Sequence, residues 1–175
     1  MGLAFTVGTT SDAFMQPYAA QVQHKIRNQF EYSVPESTSF GDEGYHSEEL
    51  GWSGWQQLQE RAVTVLGEEK IPHLLALEAW QGVYLPLPVN PIEITVEGNS
   101  TPLQCGSLPA LVQELEQLAA IEKFPTDPDG LQSFWEKYAE DDDLIEEDMD
   151  IQTYIQLMLS AKIATSHKLP LWVVK

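Results

Sequence analysis

The sequence predicts an α+β domain with a mostly antiparallel sheet and helices packed against it. The clearest strand pattern is the alternation of Ile92, Ile94 and Val96 with polar residues, followed by Gly98-Asn99, a pair typical of two-residue hairpin turns. Short apolar stretches with strand character also lie at both ends of the chain. Between these stretches, apolar residues recur at spacings of three and four, which is the spacing of amphipathic helices.

The first half of the chain is predicted to hold a strand, two helices and a long loop. Period-two alternation over 3–7 indicates the first strand, and 8–12 is a polar turn. An apolar stripe predicts a helix over 18–30. The second helix begins at Ser53 and ends near Gly67, since glycine is common just after a helix.

The second half contains a proline-rich strand candidate and the hairpin. Residues 83–89 include Pro86 and Pro88, and because proline cannot donate to a ladder, we expect an edge strand or an extended linker. The return strand of the hairpin places Leu103 and Cys105 on one face together with Thr101. Further along the chain we predict a helix that opens at Ser107 and stops at Phe124-Pro125, a short helix over 131–140, a helix over 151–165 capped by Asp150, and a closing strand over 169–174.

Length and cysteine content bound the domain organisation and the compartment. The 175 residues fit a single domain, 1–175, and 33–51 is the longest segment without a periodic pattern, which is typical of functional or mobile loops. Cys105 is the only cysteine, so an internal disulfide is excluded, and the sequence shows no signal peptide. We therefore expect a cytoplasmic protein.

The charge of the chain is strongly negative. Nine Lys and Arg residues face 27 Asp and Glu residues, which gives a formal net charge of −18. Such a surface repels nucleic-acid backbones and anionic membranes, and it attracts cations and basic proteins. The simplest alternative is that the charge serves only solubility.

Acidic residues are densest over 140–150, where eight of the eleven residues are Asp or Glu. We predict that this segment binds a basic protein partner, because a negative surface accelerates encounter with a positive one. Two alternatives are a solvated loop between helices and weak collection of divalent cations through oxygen ligands. The predicted partner-binding residues in this segment are Glu140, Asp141, Asp142, Asp143, Glu146 and Glu147.

The long loop contains a second candidate site. His46 is a possible general base, with Glu48, Glu49 or Asp42 as its orienting carboxylate or as a metal ligand. An ordinary polar loop explains the same residues, because their spacing matches no established metal motif. Tyr45 and Trp52 border this loop, and we predict that they add an aromatic anchor for the partner.

A third candidate partly resembles an EF-hand calcium loop. If Pro125 is counted as its first position, Asp127, Asp129 and Glu136 occupy ligand positions, but the first position carries no carboxylate. The alternative is that Asp127 caps a helix that begins at Pro128, with Asp129 in its first turn.

No catalytic signature is present in the sequence, which has no glycine-rich phosphate loop, no G-x-S-x-G and no C-x-x-C. We predict that Cys105 is a buried residue that behaves as a small hydrophobic side chain. The leading hypothesis is therefore a non-enzymatic interaction or regulatory module for a basic partner. The alternatives are a small hydrolase or metal-dependent enzyme using 42–49, and divalent-cation binding at the acidic clusters; no other cofactor is predicted.

Overall fold

The computed structural model describes residues 2–38, 40, 44–51, 53–78, 81–139 and 149–174, and for 138 and 139 it describes the backbone alone. In chain order, the elements are β1 (Ala4–Val7), α1 (Thr10–Ala13), α2 (Tyr18–Phe30), β2 (Tyr45–His46), α3 (Ser53–Leu66), 3-10 turns at Glu68–Lys70 and Leu74–Ala76, β3 (Gln81–Leu85), β4 (Ile92–Ile94), β5 (Leu103–Ser107), α4 (Leu108–Glu122), α5 (Pro128–Ala139), α6 (Met149–His167) and β6 (Leu171–Val174).

Six strands of the described residues form one sheet in the order β2-β1-β6-β3-β5-β4. Only the β3–β5 pair is parallel among the described strand pairs, and every other pair is antiparallel. Helices pack against this sheet, so the predicted α+β class with a mostly antiparallel sheet is confirmed.

The alternation of side chains along the strands divides the core into two layers. Trp172 pairs with Val83, which in turn pairs with Cys105, and all three lie in one apolar cluster with residues of α2. On the opposite face, Phe5 and Val173 pair and belong to a larger cluster with residues of α3, α4 and α6. The sheet is therefore covered by α2 and the short helix α1 on one face and by α3, α4 and α6 on the other.

The helix predictions are largely confirmed. α2 has the predicted bounds, and α4 begins after Ser107, whose hydroxyl accepts the Ala110 N–H. The polar turn expected over 8–12 instead contains the four-residue helix α1. Thr9 and Asp12 form a reciprocal capping box there, which satisfies backbone N–H groups and stabilises so short a helix.

The edge-strand prediction for 83–89 is wrong. β3 ends at Leu85 and lies inside the sheet between β6 and β5, with Val83, Tyr84 and Leu85 fully buried. Pro86 and Pro88 follow the strand, so neither has to donate to a ladder, and the rule against proline in a central strand is respected.

The hairpin prediction is correct in its pairing and wrong in its turn. Ile94 pairs with Leu103, so 95–102 connect the strands in place of a two-residue turn at Gly98-Asn99. The Asn99 side-chain amide instead donates to the side-chain oxygen Oε1 of Gln81 at 2.7 Å and to the Tyr18 hydroxyl at 3.1 Å. These bonds hold the connection against α2 and β3, while Leu103 and Cys105 share the α2 face as predicted.

Helix α6 is longer than predicted and is buried along most of its length, with polar Thr153 and Ser160 fully buried as well as its apolar residues. It contacts α3, α4, α5 and β1. Within the described residues, no helix combines the length and apolar character needed to cross a bilayer.

Arg61 on α3 ties the ends of two other helices together. Its Nη1 donates to Glu122 Oε2 at 2.7 Å, at the end of α4, and its Nε donates to Asp150 Oδ2 at 2.6 Å, in the first turn of α6. The guanidinium also lies 5.8 Å from the centre of the Phe124 ring. Asp150 is 7% exposed, so this carboxylate depends on Arg61 for its charge partner.

We predict that Arg61→Met lowers the free energy of unfolding by about 1–3 kcal/mol, because it leaves a buried carboxylate without its cation. Urea denaturation measures this loss. The control is Lys162→Met, which removes the more exposed ion pair with Glu116 and costs less than about 1 kcal/mol. Equal losses in the two variants would contradict the role given to Arg61.

Candidate functional site

Residues 44–51 run along the edge of the sheet, where β2 pairs with β1. The Ser47 hydroxyl accepts the Phe5 N–H at 2.9 Å and donates to the Glu48 carbonyl at 2.9 Å. Leu50 and Leu3 exchange two backbone hydrogen bonds. Ser47 therefore fastens this segment to the sheet edge and is not poised as a nucleophile.

The predicted catalytic residues His46, Glu48 and Glu49 are exposed along this segment. His46 Nδ1 lies 3.0 Å from the Thr6 hydroxyl oxygen, its cross-strand neighbour. Within the described part of the chain, no ion pair joins this imidazole to either carboxylate. The histidine thus has a hydroxyl partner in place of the orienting carboxylate that a general base needs. The catalytic role stays a prediction without geometric support, and Asp42 lies outside the described residues.

Tyr45 is only partly available as an aromatic anchor. Its ring is half-buried against the larger core cluster. Burial raises the pKa of its phenol, the neighbouring Ser160 hydroxyl opposes that rise, and the nearby Glu48 carboxylate adds to it. Trp52, the other predicted anchor, lies outside the described residues.

The start of α6 docks on the segment that follows β2. Ser53 Oγ lies 3.2 Å from Met149 Sδ, and the Glu48 N–H donates to Gln156 Oε1 at 3.3 Å. The contact at Gly51 is so close that an added Cβ would lie 1.9 Å from the terminal methyl of Met149. Met149 lies within the acid-rich segment over 140–150, and its contacts are with Gly51, two positions after Glu49, and with Ser53.

The six predicted partner-binding acids of this stretch lie outside the described residues: Glu140, Asp141, Asp142, Asp143, Glu146 and Glu147. Their predicted role is neither supported nor opposed by contacts of their own. What the structure supplies is the position of the chain on the C-terminal side of them, at Met149 and Asp150.

The calcium-loop resemblance is replaced by a helix. Asp127 Oδ2 accepts the Gly130 N–H at 2.8 Å, and α5 begins at Pro128, as the capping alternative predicts. Asp129 and Glu136 both lie on this helix, seven residues and so about 10 Å apart along its axis. An EF-hand needs an open loop over these positions. Throughout the described ranges, no group of three or more His, Cys, Asp or Glu side chains is arranged to hold a metal ion.

A buried polar network that the sequence does not reveal joins β3, β5, α4 and the 3-10 turn at Leu74. Glu114 is 5% exposed, and its carboxylate accepts the backbone N–H groups of His73 at 2.8 Å and Leu74 at 3.3 Å. His73 Nδ1 accepts the Ser107 N–H at 2.9 Å, and the Tyr84 hydroxyl donates to the His73 carbonyl at 2.9 Å.

The titration properties of this network follow from its burial. Desolvation raises the pKa of Glu114 to about 7, although the two backbone N–H bonds act in the opposite direction. Burial lowers the pKa of His73, and its Nδ1 accepts the Ser107 N–H. These groups cap backbone donors, and His73 and Glu114 are 41 positions apart in the chain, so no local motif identifies them.

Cys105 has the environment expected of a small hydrophobic residue. Its side chain is fully buried in the cluster beneath α2, and burial raises the pKa of the thiol to about 12. A thiol with this pKa is not a nucleophile at neutral pH.

Comparisons with family models, curated proteins and solved structures find no match for this chain. The functional argument therefore depends on the chemistry and placement of its own residues.

We predict that Glu114 makes the protein less stable as the pH rises. Because its pKa is higher in the folded state, about 7, than the ordinary value of 4.5, the folded protein holds the proton more tightly. This contribution is complete below the unfolded pKa and is lost as pH rises through the folded value, up to about 3 kcal/mol. Urea denaturation of the wild type and of Glu114→Gln from pH 4.5 to 7.5 measures this contribution to the free energy of unfolding.

In Glu114→Gln, the loss of stability over this range becomes smaller, since the amide does not titrate. Glu116→Gln is the matched control, because it neutralises an exposed carboxylate of the same helix. Parallel stability curves for the wild type and Glu114→Gln would show that this carboxyl does not titrate in the way described.

Proposed function

We propose that this protein is an interaction or regulatory domain that binds a basic protein partner through an acidic surface, which we define as Glu48, Glu49 and residues 140–147. The observation that carries the proposal is the docking of Met149 on Gly51 and Ser53. This contact joins Met149, which lies within the acid-rich segment over 140–150, to the segment that contains Glu48 and Glu49. We propose that carboxylates from these two distant parts of the sequence contribute to one binding surface.

The distribution of charged residues supports the same acidic surface. No Lys or Arg occurs between Lys137 and Lys162, so the acid-rich stretch contains no internal cation. Arg61, which lies near the start of α6, is already paired with two carboxylates. Glu48 and Glu49 form no ion pair within the described residues. A negative field that is not locally neutralised favours encounter with a positive partner.

The proposal also covers the location and the excluded partners. We propose that the protein is cytoplasmic, because its single cysteine is a buried thiol. We also propose that it binds neither nucleic acid nor membrane, because its net negative charge repels their phosphates. Tyr45 and Trp52 are proposed to border the surface. No observation in the described residues favours the hydrolytic or cation-binding alternatives.

A pair of variants with equal net charge tests the proposal. The test variant replaces the six acids of 140–147 by amides, and the control replaces Glu31, Glu68, Glu69, Glu78, Glu93 and Glu97, so each changes the charge from −18 to −12. Glu93 lies on β4, at the opposite edge of the sheet from β2. The probe is a short fluorescent Lys/Arg-rich peptide, measured by fluorescence anisotropy at low ionic strength.

We expect about tenfold or greater loss of peptide affinity in the test variant, because several weak ion pairs are removed together. The control should stay close to the wild type, and salt should weaken wild-type binding strongly. If both variants lose affinity equally, net charge alone explains the binding. If the wild type does not respond to salt, the acidic surface is not the binding surface.

A further inference from the structure

A polar cleft lies on the other side of the sheet, beside the outer face of α2. Its volume is about 680 Å³, within the range of small-molecule pockets. One wall is a stripe of α2 that includes Ala20, Gln23 and Arg27. The opposite wall contains Ser33 and Glu36.

Both borders of the cleft are anchored in the fold. Thr9 contributes to the lining from the start of α1, where its hydroxyl takes part in the capping box with Asp12. Val34 is 2% exposed and packs in the cluster with Val22 and Ile26 of α2. Both borders are thus fixed by contacts within the fold, which reduces the ordering cost of binding.

The lining of the cleft contains two side chains of opposite charge, Arg27 and Glu36. The chain contains two arginines, and Arg61 is fully engaged with carboxylates. Arg27 forms no ion pair within the described residues, and neither does Glu36, although both line the same cleft. An arginine that forms no ion pair within the described residues is unexpected in a chain with a net charge of −18.

We propose that this cleft binds a small zwitterionic ligand, a free amino acid or a short peptide, with Arg27 holding its carboxylate and Glu36 its ammonium group. A guanidinium binds a carboxylate through two parallel hydrogen bonds. The Gln23 amide and the Ser33 hydroxyl add neutral hydrogen-bonding groups to the lining of the cleft.

The net charge of the protein favours a zwitterion over an anion. A multiply charged phosphate ligand is repelled by the field of the whole molecule and meets only one arginine in the cleft. A zwitterion carries no net charge, so the long-range field does not oppose its approach. Both of its charges are then matched locally.

The test uses the full-length protein and titrates free amino acids and short peptides at millimolar concentration, followed by ¹H–¹⁵N NMR and calorimetry. Acetate, methylammonium, N-acetylated peptides and C-amidated peptides are the comparison probes. We expect at least one zwitterion to shift resonances of residues that line the cleft, and its acetylated or amidated form to bind about tenfold more weakly.

Variants test which side chain of the cleft binds each charged group of the ligand. Arg27→Gln should weaken binding about tenfold, to the level of the C-amidated ligand, and Glu36→Gln to the level of the N-acetylated ligand. Ala20→Leu fills the cleft on an exposed helical position and should abolish binding. Lys25→Gln and Gln21→Leu, on the same helix but outside the lining, should bind like the wild type. Circular dichroism checks that each variant is folded.

Three results would overturn the proposal. The first is a panel in which no zwitterion shifts the cleft resonances. The second is acetate binding as tightly as the amino acids with no effect of Glu36→Gln, which would identify a site for anions only. The third is a binding response that survives Ala20→Leu. None of these results depends on the acidic surface, so they leave the proposed basic partner unaffected.

Discussion

The C-terminal strand β6 is the element on which the whole sheet depends. It lies between β1 and β3 and pairs antiparallel with both, so it joins the β2–β1 pair to the β3–β5–β4 group. The Trp172 indole N–H donates to the Gly8 carbonyl at 3.1 Å, and its ring is fully buried beneath α2. Because the first and last strands must meet, the sheet requires contacts of very high sequence separation.

The same constraint positions helix α6. Helix α6 leads directly into β6 and is held at its other end by the Asp150–Arg61 ion pair and the contact of Met149 with Gly51. Ionisable groups inside the fold have hydrogen-bond or ion-pair partners there. Arg61 pairs with two carboxylates, and the Glu114 carboxylate accepts backbone N–H groups. Glu48 and Glu49 form no ion pair within the described residues, and we propose that they contribute to partner binding.

Local patterns in the sequence predicted the helices and strands better than they predicted which of these elements pair or pack together. The bounds of α2 and the cap of α4 follow from apolar spacing and a serine before a proline-containing first turn, both of which are local. The central position of β3 in the sheet does not follow from a local pattern, because the sequence alone does not show whether Pro86 belongs to the strand. The Glu114–His73 contact and the Arg27–Glu36 cleft join residues from separate elements, and their chemistry depends on burial that no local motif encodes.

The claim that the fold unites two acidic segments into one surface can be measured by paramagnetic relaxation. A nitroxide is attached at Glu48→Cys, and Cys105 does not compete for the label because its thiol is buried and its pKa is about 12. The account predicts strong broadening of the amide resonances of 140–147, and none from a reference label at Glu97→Cys, beyond strand β4 at the far edge of the sheet. Unbroadened resonances of 140–147 with the label at position 48 would contradict it.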